Sequence, residues 1–189
     1  MTDSPRPRRL ARKVTPDRLE RAALHYLQRF ASSKVNLRRV LLRKVQRSAG
    51  RHEIDVEAAT KWIDTLLQKL ERNGLLNDAR YAETKAGSLL RRGNPRRGIA
   101  RALAAKGVAP AAIDAALAAS AEEHADPDLA AAIAYARRRK LGPWRAPANR
   151  AEHRDRDLAA LARRGFRFDL AQRVIGAARP EDLEAPDEA

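Results

Sequence analysis

His52 and Glu53 stand side by side, the opening of a zinc-hydrolase pattern that needs a second histidine four residues after the first, on the same helix face. Residue 56 is Val56, and the remaining histidines, His25, His124 and His153, are scattered. Cysteine is absent, which excludes a thiol nucleophile and a thiolate metal site. The nine glycines never fall two apart and none precedes a lysine, so neither a dinucleotide fingerprint nor a P-loop can form. Glu122 and Glu123 are adjacent and diverge on a helix, a poor arrangement for an acid and base pair. The chain therefore reads as non-enzymatic, with no metal and no cofactor.

The residues that remain able to do chemistry are arginines, whose planar guanidinium donates forked hydrogen bonds to phosphate and carboxylate. They come in groups: Arg38, Arg39 and Arg43; then Arg91, Arg92, Arg96, Arg97 and Arg101; then Arg137, Arg138 and Arg139 with Lys140; then Arg163 and Arg164. These are the candidate contacts to a partner or to nucleic acid. For Arg91 and Arg92 two readings stay open, capping of helix carbonyls or binding, whereas five arginines across one turn exceed what capping requires. Successive residues point around a helix axis, so at most two of the run from Arg137 to Lys140 share a face, and at least one is structural or idle. Arg38, Arg39 and Arg43 fit a solvated helix face as well as a contact surface.

Charge sets the class of partner. The 189 residues carry a formal net charge of +15, which repels itself in a compact state and attracts polyanions. It is uneven: residues 1–50 hold 14 Lys and Arg against 3 Asp and Glu, a net of +11, while residues 151–189 hold 7 against 9, a net of −2. Eight aromatics spread over the chain cannot build a base-stacking platform, so DNA contact is expected to be weak, sequence-independent and through phosphates. The basic N-terminus lacks the apolar segment of a secretory signal, and no run of 18 apolar residues exists. With no cysteine besides, the expectation is a cytoplasmic protein that does not engage a membrane.

Positioning falls to helices, since no alternating strand pattern is present. Residues 1–14 read as a flexible basic arm and residues 180–189 as an acidic tail. Thr15 caps a helix with Pro16 at its first position and Leu19, Ala23, Tyr26 and Phe30 in its stripe. A second is predicted from Ser33 to Ser48 and a third from Val56 to Asn73, with Ala59, Trp62, Ile63, Leu66 and Leu70 inward and Gly74 as a left-handed C-terminal cap. Tyr81 and Tyr135 are also read as core. Helices then follow from Asp78, Pro95, Pro110, Asp126-Pro127, Arg150 and Phe168.

The nine helices fall into triplets. An offset of 58 pairs Leu103 with Leu161 and Lys106-Gly107-Val108 with Arg164-Gly165-Phe166, and an offset of 62 pairs Ser33 with Pro95, Leu37 with Ile99 and Leu41 with Leu103. The reading is an all-α tandem array of three three-helix repeats, residues 15–76, 77–124 and 125–179, monomeric, elongated and curved. Each repeat has a small core and gains by stacking on its neighbour.

The stretch from Gly74 to Ala82, followed by Leu90-Arg91-Arg92-Gly93-Asn94-Pro95-Arg96-Arg97-Gly98-Ile99 and Leu103 to Val108, resembles the central repeat of the RecX regulatory proteins. The similarity extends from about residue 20 to 178, including Arg163-Arg164-Gly165-Phe166. It is thinner in the first repeat, where Lys44-Val45 stands in place of a Lys-Gly pair and residues 46–56 are longer than the family norm. The arm and the tail lie outside the pattern. The resemblance implies a regulator that binds the RecA-DNA filament and restrains its ATP hydrolysis and strand exchange in recombination, DNA repair and the SOS response. The alternative left open by the residues alone is a non-enzymatic DNA-binding repeat protein acting as a transcriptional or architectural regulator.

Overall fold

Helix starts are written locally in this chain. Thr15 Oγ1 accepts from Arg18 N at 3.4 Å, Ser33 Oγ from Asn36 N at 3.2 Å, and Asp55 Oδ1 from Ala58 N at 2.9 Å, each satisfying an amide that the first helical turn leaves unpaired. They open α1 (Pro16–Arg29), α2 (Lys34–Ala49) and α3 (Val56–Arg72). After α4 (Asp78–Arg91) come α5 (Arg96–Ala105), α6 (Pro110–Glu123), α7 (Pro127–Arg139), α8 (Arg150–Arg164) and α9 (Phe168–Gly176). The structure, a computed structural model, describes residues 13–123 and 125–183. Residues 1–12 of the expected arm, His124 and residues 184–189 of the expected tail lie outside the described residues. All regular structure among the described residues is helical, in three three-helix repeats.

Two compact units divide the chain, one ending at Asp78 and the other beginning at Ala79. In the first, α1, α2 and α3 enclose Leu19, Ala23, Leu37, Leu41, Val45, Ala59, Ile63, Leu66, Leu67 and Leu70. Two expectations fail here. Trp62 is not inward but 38% exposed, because the α3 stripe runs through Ala59, Ile63, Leu66, Leu67 and Leu70, and one residue's 100° turn leaves Trp62 at its margin. Phe30 does not extend α1; it is the extended C-cap residue, 53% exposed, with its ring 5.2 Å from that of Tyr26. Val14 packs against this core, and its N–H donates to Ser48 Oγ at 3.2 Å.

In the second unit repeats two and three share one core, from Tyr81, Leu90, Ile99 and Leu103 through Leu117, Leu161, Phe166 and Ile175 to Leu183. Leu183 closes a 3-10 turn, so the chain stays packed to the last described residue. From the connection between α7 and α8, Gly142 N donates to the buried Asp157 of α8 at 2.9 Å, and Arg145 forks onto the same carboxylate at 2.8 and 3.2 Å. Arg150 donates to the carbonyls of Pro143, Arg145 and Ala178, which ties this connection to the end of α9. Gly93 at φ +70° brings the end of α4 against α7: a Cβ there would sit 2.6 Å from Tyr135 Cβ and 2.8 Å from the Ala131 carbonyl oxygen.

One bond repeats with the repeats. Asp78 Oδ1 accepts from Lys34 N, the first amide of α2, at 2.8 Å, and Asp128 Oδ1 accepts from Arg96 N, the first amide of α5, at 2.7 Å. In each case a carboxylate that begins one repeat caps the second helix of the repeat before it.

Candidate polyanion-binding surface

The arginines foreseen from sequence take three different situations. Arg38, on α2, forks onto Asp64 of α3, Nε to Oδ1 at 2.7 Å and Nη2 to Oδ2 at 3.1 Å. The hydrogen bond from Arg38 holds the Asp64 carboxyl below the ordinary carboxylate range, and the same bond raises the guanidinium. Arg39 and Arg43 are exposed on the same helix, and the Arg43 carbonyl accepts from Arg47 Nε at 3.1 Å.

The second situation is the turn after α4. Its terminal carbonyls are satisfied from elsewhere: Asn94 Nδ2 donates to Leu89 O at 2.8 Å, Arg138 Nη2 to Arg92 O at 2.7 Å, and Arg164 Nε to Gly93 O at 3.2 Å. Capping is thus shared by Asn94 of the turn, Arg138 of α7 and Arg164 of α8, while the exposed side chains of Arg91 and Arg92 make no hydrogen bond or ion pair among the described residues. Tyr135 lies within this bracket, with the Arg164 guanidinium 5.5 Å and the Arg138 guanidinium 5.9 Å from its ring centroid. Its ring also lies 6.5 Å from that of Phe166. Tyr135 is half-buried, a support for two cations as much as a core residue.

The third situation is the flank. Arg137, Arg139 and Lys140 end α7, where Lys140 takes a left-handed conformation at φ +53°, and Arg163 ends α8; all four are exposed. Arg96 is half-buried at the start of α5, and Arg97 and Arg101 are exposed further along it. The groups that sequence left separate therefore meet at the Gly93 turn, where α4, α7 and α8 all end, and the turn at Gly165 lies against Pro95. No Asp or Glu occurs in residues 84–113, 129–151 or 158–168, and of the acids that border these segments, Asp128 and Asp169 accept from Arg96 N and from Arg167. Arg38, Arg39 and Arg43 belong to the other unit.

Sequence reasoning missed Asp128, Tyr135 and the Arg145-Asp157 fork. Tyr135 had a signal, its three-residue spacing from Arg138. The arrangement can neutralise closely spaced anionic groups by charge-assisted hydrogen bonds. No group of three or more His, Asp or Glu among the described residues is placed to hold a metal ion, and none of the helices there is long and apolar enough to cross a membrane.

Residues 77–117 match the family described as RecX, second three-helix domain. The chain is 50% identical over 165 residues to the regulatory protein RecX of Myxococcus xanthus (strain DK1622), covering 87% of each. It is 30% identical over 155 residues to that of Agrobacterium fabrum (strain C58), covering 82% of this chain and 79% of the relative. The fold is shared with the crystal structure of RecX from Lactobacillus salivarius, at a TM-score of 0.58 and 22% identity over 89% of this chain and 96% of that one.

Proposed function

The chain belongs to the RecX family of regulatory proteins, and on that premise we propose that it modulates the RecA recombinase by binding the RecA-DNA filament and lowering its ATP hydrolysis and strand exchange. It acts without catalysis of its own, as a cytoplasmic monomer, in recombination, repair and the SOS response. The observation that carries this reading is the surplus of exposed arginine on a helical-repeat scaffold, which suits a filament built on a polyanion.

The test is RecA-dependent ATP hydrolysis on single-stranded DNA with the protein titrated in. The parent lowers the rate. Arg97→Glu with Arg101→Glu inverts charge on the exposed side of α5 while both positions stay helical, and should shift the inhibition curve by about thirtyfold or more. An unchanged curve would move the contact to Arg38, Arg39 and Arg43 or to the third repeat. Mobility shifts with and without RecA separate the alternative: a modulator binds bare duplex weakly and prefers the RecA-DNA filament, whereas a DNA-binding regulator binds duplex as well without RecA and leaves a footprint.

A further inference from the structure

We infer that the face where α4, α7 and α8 end is the nucleic-acid contact of this protein, and that Arg91, Arg92, Arg139, Lys140 and Arg163 hold phosphodiester groups there. This deepens the filament reading and rests on it only for the biological target.

What an arginine is bonded to decides whether its charge is available. Arg38 faces a carboxylate, so the pair is neutral seen from outside. Arg138 and Arg164 face backbone carbonyls, which carry no net charge, so both keep their full positive charge while their geometry is fixed. Three helix C-termini would give this place a partial negative potential. Two bonded guanidiniums offset that, and the five cations named above are surplus. All five are exposed, and none makes a side-chain hydrogen bond or ion pair among the described residues.

The absence of acid from the three contributing segments matters for the choice of partner. A surface that docks protein combines apolar or aromatic anchors with charges of both signs. Most of the exposed large hydrophobics among the described residues, Phe30, Val56, Trp62 and Leu75, belong to the first unit, while the second has Phe168. A face on which cations far outnumber acid, its centre stiffened by the Tyr135 bracket, fits instead the regular row of like charges along a nucleic-acid backbone. Contact through phosphates alone implies indifference to sequence.

Fluorescence anisotropy of the full chain with a labelled oligonucleotide duplex, in the absence of any recombinase, tests this. The variant Arg92→Gln, Arg139→Gln, Arg163→Gln removes three of the cations without placing an acid at a helix C-terminus. A comparison variant, Arg72→Gln, Arg154→Gln, Arg156→Gln, removes the same net charge from exposed positions elsewhere. The first should bind about tenfold or more weakly, with a salt dependence shallower by about 0.9 for each phosphate no longer neutralised, and the second should stay near the parent. Circular dichroism melts establish that both fold. Parent-like binding by the first variant, or equal loss in both, overturns the inference, the latter by showing diffuse attraction only. Loss of RecA inhibition with unchanged DNA binding would make the face a protein contact. Because no recombinase is present, failure here leaves the filament reading standing, and the converse holds.

Discussion

The first unit closes its core with three helices, whereas the second needs six. The helices α1, α2 and α3 run 14, 16 and 17 residues, long enough to cover one another, while α5 and α9 have only 10 and 9. Short helices bury too little alone, so repeats two and three merge their apolar faces into one cluster. The polar chemistry differs in the same sense. Four cations of the first unit pair with carboxylates, in Lys34–Glu71, Arg38–Asp64, Lys61–Glu57 and Lys69–Glu20. At the end of α4 cations cap carbonyls and do not cancel.

The sharpest way to break this contrast uses two glycines with the same backbone angle. Gly74 and Gly93 both sit at φ +70°, but a Cβ at Gly74 meets nothing within 4 Å, while one at Gly93 overlaps Tyr135 and Ala131. Gly93→Ala should cost about 3 kcal/mol, from left-handed strain plus overpacking, and Gly74→Ala about 1 kcal/mol, from the strain alone. Urea unfolding followed by circular dichroism measures both. Equal losses would mean that the α4–α7 approach is looser than described.

A smaller effect is expected at the repeated cap. Asp128→Ala and Asp78→Ala should each cost about 1 kcal/mol, the usual loss when a capping oxygen is removed. If only one of them destabilises, the bond is not a shared property of the repeats.

The smallest effect lies on the acid side. The hydrogen bond from Arg38 lowers the folded-state value of Asp64 below its unfolded one. Its stabilisation is thus present above about pH 4 and is lost as pH falls through the lower folded value. The pair is well exposed, 39% and 45% at its side chains, so less than about 1 kcal/mol is at stake. Stability of Asp64→Asn measured from pH 6 down to pH 3 should fall less steeply than that of the parent; an identical slope would show the pair to be idle.

Much of the fold was legible because it is local. Thr15, Ser33, Asp55 and Asp126 cap helices by bonds two or three residues long, Gly74 ends one in the left-handed region, and apolar spacing marks the inward stripes. The offsets of 58 and 62 gave the repeats for the same reason, since each repeat writes its own helices. Positions at a stripe's edge were not legible: Trp62 and Leu67 both fit the periodicity of α3, and only packing against α1 and α2 chose Leu67.

The candidate site was legible as composition and not as arrangement. The sequence by itself determined that arginine without acid recurs near Arg91, Arg138 and Arg164. Only the tertiary structure decided which arginines stay available. The bonds that fix Arg138 and Arg164 span 46 and 71 residues, and the one that gives Arg96 its amide cap spans 32. Such bonds depend on where helix ends meet in space, and periodicity constrains the face of a helix but not which neighbour's carbonyl that face will find.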